Sequence, residues 1–346
     1  METQTKYWII RELDGNGQQA IQEAAALLKQ QELIAFPTET VYGLGADATN
    51  ETAVAKIFEA KGRPSDNPLI VHLADVDQIP NYVEVMTPIA EKLIQAFMPG
   101  PITVILPSSD AIATNVTAGL QTVGIRIPDH PVARALLREV DLPIAAPSAN
   151  TSGKPSPTSA IHVFQDLNGK IAGIVDSAST EVGVESTVVD CTGDVPIILR
   201  PGGITREQIE EVTEVVAFDA TIEKEIDKPK APGMKYNHYE PEMPLWLVDG
   251  SIDFFQEQID QLTNEGLKVG VMGSEELISK VRASNSSICG SNINLTTIAV
   301  QLYHSLRSFK ASETDIILCE TFPKQGIGQA IMNRLEKAAS KKVKQD

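Results

Sequence analysis

Between residues 219 and 244 the chain changes character. Four prolines (Pro229, Pro232, Pro241 and Pro244) punctuate a polar, charged stretch, and on both sides of it short apolar runs alternate with helix-period segments. A polar, proline-studded stretch has no repeating apolar face to bury, so it reads as an extended linker. At 346 residues the chain is long for one core, which agrees with a division into two folded parts. The expected organisation is a first domain over 1–218, the linker over 219–244 and a smaller second domain over 245–346.

Both parts mix strands with helices. Ala20, Ile21, Ala24, Leu27 and Leu28 recur at helical spacing, and Leu33–Phe36 follows as a buried strand. Pro37 has no N–H for the ladder, so the chain should turn there and expose Thr38 and Thr40. Val54, Ile57 and Phe58 mark a helix that stops at Gly62 and Pro64, and Leu69–Leu73 reads as a strand with His72 inside it. Further strands are expected over Ile102–Leu106, Val123–Ile127, Gly173–Asp176, Ser186–Asp190 and Val195–Leu199. Helices are expected from Thr87 to Phe97 and from Pro131 to Val140, with a capping box at Thr205-x-x-Gln208. Beyond the linker, apolar runs at Leu245–Val248, Val269–Met272 and Ile316–Cys319 alternate with helical patterns over Ile252–Leu262, Ile298–Phe309 and Gln329–Ala339. Such interleaving predicts α/β sheets with helices packed on them, and the β-branched runs predict strands covered on both faces.

Charge narrows the function classes. The net charge is −17; residues 1–215 hold 14 Lys+Arg against 28 Asp+Glu, a balance of −14, and the remainder 15 against 18, a balance of −3. A domain that grips nucleic acid through phosphates carries a basic surplus, and neither part does. A small-molecule substrate is favoured over RNA, although a local basic groove stays open. No apolar run reaches 18 residues, so no membrane span is expected, and the polar Met1–Ile10 lacks the pattern of a secretory signal. Three cysteines lie far apart without a CxxC pair. The expected compartment is cytoplasmic.

The polar groups cluster. A P-loop is absent, because Gly153-Lys154 is followed by Pro155. Gly43-x-Gly45 fits a dinucleotide fingerprint only on paper, since it follows a turn and not a strand. Lys61-x-Arg63, if extended, points both cations to one side, where they can meet a polyphosphate; the alternative is a helix end whose dipole suits cations. Ser148-x-Asn150 offers neutral donors at the end of an apolar run, and Arg200 ends a strand before Pro-Gly-Gly. Arg126 sits between two isoleucines and needs an anionic partner if buried. Taken alone, His72 reads more readily as a satisfied core histidine than as a ligand-binding group. The linker holds Tyr236, His238 and Tyr239, which a plain spacer does not require.

In this order, Pro37-Thr-Glu-Thr-Val-Tyr-Gly-Leu-Gly45, Lys61-Gly-Arg-Pro-Ser-Asp-Asn-Pro-Leu69, Ser148-Ala-Asn150, Glu185-Ser-Thr187 and Arg200-Pro-Gly202 resemble the threonylcarbamoyl-AMP synthase family, with its YrdC-like domain, in the long two-domain form. The resemblance implies a twisted open α/β sheet with a concave active-site face, plus a smaller C-terminal Rossmann-like α/β domain. It implies a synthase that forms threonylcarbamoyl-AMP and pyrophosphate from L-threonine, bicarbonate (or CO2) and ATP, with a downstream tRNA threonylcarbamoyl transferase system as partner. By motif, Thr40, His72, Arg126, Ala146 and Ser186 should surround threonine. Lys61, Arg63, Asn67, Thr122, Ser148, Asn150, Ser156 and Arg200 should line the ATP site, Lys61 and Arg63 as the catalytic pair, with Mg2+ bound through the phosphates. The linker, with Tyr236, His238 and Tyr239, should fold over the site as a lid. An RNA-binding ribosome-assembly protein and a carbamoyl transferase stay open as rival readings.

Overall fold

A computed structural model describes residues 4–218 and 239–345. The chain divides into two compact units, bounded as Met1–Ser152 with Ser156–Tyr236 and as Gly153–Pro155 with Asn237–Asp346.

The first unit begins with β1 (Lys6–Ile9), α1 (Gly15–Lys29), β2 (Ile34–Phe36), β3 (Gly43–Asp47), α2 (Glu51–Lys61) and β4 (Ile70–His72). It continues with α3 (Pro88–Phe97), β5 (Ile102–Pro107), β6 (Thr122–Arg126), α4 (Pro131–Val140), β7 (Ile144–Ala145) and α5 (Ala160–Leu167). It closes with β8 (Gly173–Asp176), β9 (Thr187–Asp190), β10 (Ile197–Arg200), α6 (Arg206–Thr213) and β11 (Ala217–Phe218). The strands form one mixed eleven-stranded sheet in the order β1-β8-β2-β3-β7-β4-β6-β5-β9-β10-β11.

Strand alternation sends neighbouring residues to opposite faces. In β2, Ala35 joins the main core with α2, α3, α5 and α6, while Ile34 and Phe36 join a second core under α1 and α4. In the middle of the sheet, Val71, Val104, Val123, Ile125 and Val189 point into the main core. By the same alternation His72, Thr103, Thr122, Arg126 and Ser186 belong to the other face, whose apolar cluster is small: Ile70, Ile105, Val188 and Leu199. Both-face covering holds for β2, whereas β4, β6, β5 and β9 carry polar side chains on their second face.

One element is not legible from the sequence and one expectation fails, each for a physical reason. Gly43–Asp47 is a strand, antiparallel to β2 and β7. A Cβ on Gly45 would lie 2.8 Å from Ile144 Cγ2 and 2.9 Å from Phe36 Cε1, so glycine is there for close packing between strands. Thr38 and Thr40 are buried, not exposed. The Thr38 hydroxyl donates to the Val41 carbonyl (2.6 Å) and lies 2.9 Å from Thr40 Oγ1, so the turn closes on its own side chains.

The second unit contains β12 (Leu245–Asp249), α7 (Ile252–Asn264), β13 (Val269–Gly273), α8 (Glu275–Ile278), β14 (Asn285–Ile288), α9 (Leu295–Ser308), β15 (Ile316–Glu320), α10 (Gly328–Ala338) and β16 (Lys341–Lys344). Its sheet is entirely parallel, in the order β14-β13-β15-β12-β16. Val248, Val269, Val271 and Leu318 meet Phe255, Ile259 and Leu262 of α7 in one core, the Rossmann-like packing that the alternation predicts.

Candidate active site

The site residues are set by how the central strands pair. β4 and β6 run parallel with His72 opposite Arg126, and β7 lies antiparallel to β4 with Ile144 opposite His72. The Ala146 N–H donates to the Ile70 carbonyl (2.9 Å), which carries the chain past β4 toward Ser148 and Asn150. Ser148 bridges back to Gly43. Thr40, His72, Arg126 and Ala146 are thus drawn to one end of adjacent strands.

His72 is buried, with Nδ1 3.2 Å from the Ile70 carbonyl and the Phe36 ring edge-on at 6.1 Å. Burial, and then the Arg126 cation, push its pKa down to about 3, so the imidazole is neutral near pH 7; with the Nδ1 proton on the Ile70 carbonyl, Nε2 is the acceptor. Arg126 is also buried, and its Nη2 lies 2.8 Å from Oε2 of Glu39, in the turn between β2 and β3.

Lys61 answers neither reading of Lys61-x-Arg63 fully. It ends α2, and Gly62 follows in the left-handed region (φ 62°), so the segment is a helix C-terminus and not extended chain. Yet Lys61 is only 2% exposed, so it is no solvated helix end. Its Nζ donates to the carbonyls of Ser148 (2.5 Å) and Asn150 (2.6 Å), joining the Lys-Gly-Arg and Ser-Ala-Asn motifs. Arg63 is half-buried, with its backbone N–H on the Phe58 carbonyl (2.9 Å). Asn67 is fully buried, and among the described residues its amide has no hydrogen-bond partner for either Nδ2 or Oδ1.

A third group surrounds Ser186. Its hydroxyl lies 2.8 Å from Thr103 Oγ1, and Arg200 Nη2 donates to its carbonyl (2.9 Å) and hydroxyl (3.2 Å). One residue earlier, Glu185 Oε1 accepts from the Ser156 hydroxyl at 2.6 Å. Gly202 lets the chain after Arg200 pass this close, because a Cβ there would lie 2.3 Å from the Glu185 carbonyl oxygen. The backbone N–H groups of Glu181 and Val182 both donate to the Glu39 carbonyl, tying this segment to the Thr40 turn.

Thr122 shares the face of Arg126 but opens β6, roughly 13 Å away along the strand. Among the described residues no hydrogen bond joins its side chain to the others. Tyr236 and His238 lie outside the described residues. Tyr239 is buried in the second unit, with its ring stacked on Tyr303 at 5.4 Å and under the Arg334 guanidinium at 5.7 Å. The residues that sequence reasoning missed are Glu39, Thr38 and Thr103. The signal for Glu39 was present, an acid inside a stretch otherwise built to be buried.

A family model described as "Telomere recombination" matches residues 26–202, and one described as "Threonylcarbamoyl-AMP synthase, C-terminal domain" matches residues 204–340. The chain is 52% identical over 343 residues to the threonylcarbamoyl-AMP synthase of Bacillus subtilis, covering 98% of this chain and 99% of that one. It is 45% identical over 328 residues to the threonylcarbamoyl-AMP synthase of Pyrococcus abyssi, covering 93% and 95%. The crystal structure of P. abyssi Sua5 complexed with L-threonine superposes with a TM-score of 0.94 at 43% identity, covering 99% of this chain and 100% of that one.

Proposed function

The chain belongs to the threonylcarbamoyl-AMP synthase family, in its two-domain form, and on that premise we propose how its own residues carry out the synthesis of threonylcarbamoyl-AMP from L-threonine, bicarbonate or CO2, and ATP. The observation that carries the reading is the match over nearly the whole chain, both units included, to synthases of this activity.

The neutral amine of threonine first attacks CO2 and gives up a proton, or attacks bicarbonate with loss of water, to form the carbamate. A carbamate oxygen then attacks the α-phosphorus of ATP, and pyrophosphate leaves. Charge spreads over phosphate oxygens in that transition state, so fixed cations and correct placement do most of the work. Arg63 and Lys61 hold the phosphates. Lys61 also fixes the Ser148 and Asn150 carbonyls, so the donors of that loop stand ready before ATP arrives. Asn67 brings an amide with unspent donors and acceptor, and Thr122, Ser156 and Arg200 complete the nucleotide side.

Arg126 takes the threonine carboxylate through its planar fork. Neutral His72, with Thr40 and Ser186, receives the threonine hydroxyl, and the Ala146 backbone closes the pocket. With its Nδ1 proton on the Ile70 carbonyl, the neutral imidazole leaves Nε2 to accept from the hydroxyl. Mg2+ would enter with ATP, bound through the triphosphate oxygens. When bound, Mg2+ neutralises charge on the phosphate oxygens. The product is a reactive mixed anhydride, suited to handing its threonylcarbamoyl group to a downstream tRNA-modifying transferase.

Pyrophosphate release from ATP and bicarbonate, measured with and without L-threonine alongside mass detection of threonylcarbamoyl-AMP, tests the reading. Threonine-dependent release with that product is expected. Folded protein that releases none overturns it.

A further inference from the structure

Glu39 is 5% exposed and Arg126 4% exposed, and their nearest atoms are 2.8 Å apart. Contact is not the same as satisfaction. Among the described residues neither carboxylate oxygen of Glu39 makes a directed hydrogen bond, nor do Nε and Nη2 of Arg126. A buried ion pair kept only for the fold needs good geometry and further hydrogen bonds on its remaining atoms to offset the loss of water. This pair has the burial without the bonds, and buried groups with unspent capacity call for an explanation beyond packing.

The surroundings point to one. The turn bearing Glu39 is locked by its backbone, whose carbonyl accepts from Glu181 and Val182, and by the Thr38 hydroxyl on Val41. The carboxylate is therefore placed beside Thr40 and Arg126 by a turn that its own oxygens do not help to close. A carboxylate only accepts and a guanidinium only donates. An amino acid carries an ammonium and a carboxylate on one carbon, so a receptor for it needs an anion and a cation side by side.

We propose that Glu39 binds the α-ammonium group of the amino-acid substrate while Arg126 takes its α-carboxylate, the two together forming a receptor for the zwitterion. This rests on the reading that the site takes threonine through Arg126, and it adds the half of the recognition that the motifs leave unassigned. Gripping both charges also fixes the direction of the third substituent, the hydroxyl-bearing side chain, toward Thr40 and His72.

The test compares L-threonine with 2,3-dihydroxybutanoate, which replaces the ammonium with a hydroxyl and keeps the rest. Binding to the full chain is measured by calorimetry, for wild type and for Glu39→Gln, with ATP affinity as a control. Wild type should prefer threonine by about 10- to 150-fold, the scale of a hydrogen bond to a charged group. Glu39→Gln should lose that preference by weakening threonine while leaving the dihydroxy acid and ATP nearly unchanged. If Glu39 only positioned Arg126, both ligands would weaken together, since both present the carboxylate; that outcome overturns the proposal. Equal binding of the two ligands by wild type overturns it with no variant required. Should Glu39→Gln not fold, Glu39→Asp keeps the charge and must keep the preference for threonine; losing it counts against the proposal. Wild-type protein that binds ATP but neither small acid would instead remove the underlying assignment of the site to threonine.

Discussion

Two carboxylates mark the difference between the units. Glu320 ends β15 of the second unit, where the Ser274 N–H (2.8 Å) and the Asn292 amide (2.7 Å) both donate to it. The Asn292 amide also reaches Ser274 Oγ at 3.0 Å, and Glu276 accepts from the Ser291 hydroxyl and the Asn292 N–H. The carboxyl edge of a parallel sheet is where α/β folds usually bind ligands, yet here the polar groups are spent on one another. Glu39 in the first unit is more deeply buried, and beyond its ion pair with Arg126 its carboxylate makes no directed hydrogen bond among the described residues. The lesson is that polarity at a sheet edge does not mark a site, whereas polarity that is buried, rigidly held and unsatisfied does. By that measure the first unit is the chemical one.

The largest effect should come from Arg63→Ala, with threonine-dependent pyrophosphate release falling by about 1,000-fold or more, the scale of a lost transition-state arginine. Circular dichroism should show the fold retained. A folded variant turning over at the wild-type rate would take Arg63 out of the reaction. Next comes Arg126→Ala. Removing one partner of a buried ion pair strands the other, so the first unit should lose about 3–5 kcal/mol in denaturant titration, together with a raised threonine requirement. A variant with unchanged threonine dependence would detach Arg126 from the substrate.

Glu320→Ala is the mirror experiment. The groups it leaves unpaired should cost the second unit about 1.5–3 kcal/mol, while the dependence of turnover on threonine stays as in wild type. A shift in threonine requirement as large as that of Arg126→Ala would erase the distinction between the two carboxylates.

What could be read from the sequence follows the same line between spent and unspent. Strands with apolar alternation, such as Val123–Ile127 and Val269–Met272, were legible because their side chains carry the pattern. Asn285–Ile288 and Lys341–Lys344 were not, since they are edge strands whose polar and lysine-rich surfaces hide them. Gly43–Asp47 was not legible as a strand because its two glycines carry no side-chain pattern; Gly45 answers to the Phe36 and Ile144 side chains beside it. The motif residues were legible as a set through resemblance, but their connections were not. Nothing local says that Lys61 reaches the Ser148 and Asn150 carbonyls 87 and 89 residues away. Nor could the partner of Arg126 be chosen from the sequence, because the pairing crosses from a strand end to a distant turn.

Acid offers the finest probe of the contrast, because the two units hold their perturbed groups in different ways. His72 has a usual pKa of 6.5 and a folded value of about 3, lowered first by burial and then by Arg126. Between those values the unfolded chain binds a proton that the folded chain refuses. Stability of the first unit should therefore fall as pH drops from 6.5 toward 3, by up to about 1.4 kcal/mol per pH unit from this group, and be indifferent to it above 6.5. In the second unit Glu276 is held from its usual 4.5 down to about 2, first by the Ser291 hydroxyl and then by the Asn292 N–H. Its contribution is intact above 4.5 and is lost only as pH falls toward 2. The two tryptophans allow each window to be read separately, since Trp8 lies in the first unit and Trp246 in the second. In Trp246→Phe protein, unfolding followed through Trp8 should lose stability already between pH 6.5 and 4.5, and His72→Gln should flatten that part of the curve. A first unit whose stability is level from pH 6.5 to 4.5 in both proteins would mean that His72 is not held neutral, and with it would go the neutral imidazole assigned to the threonine hydroxyl.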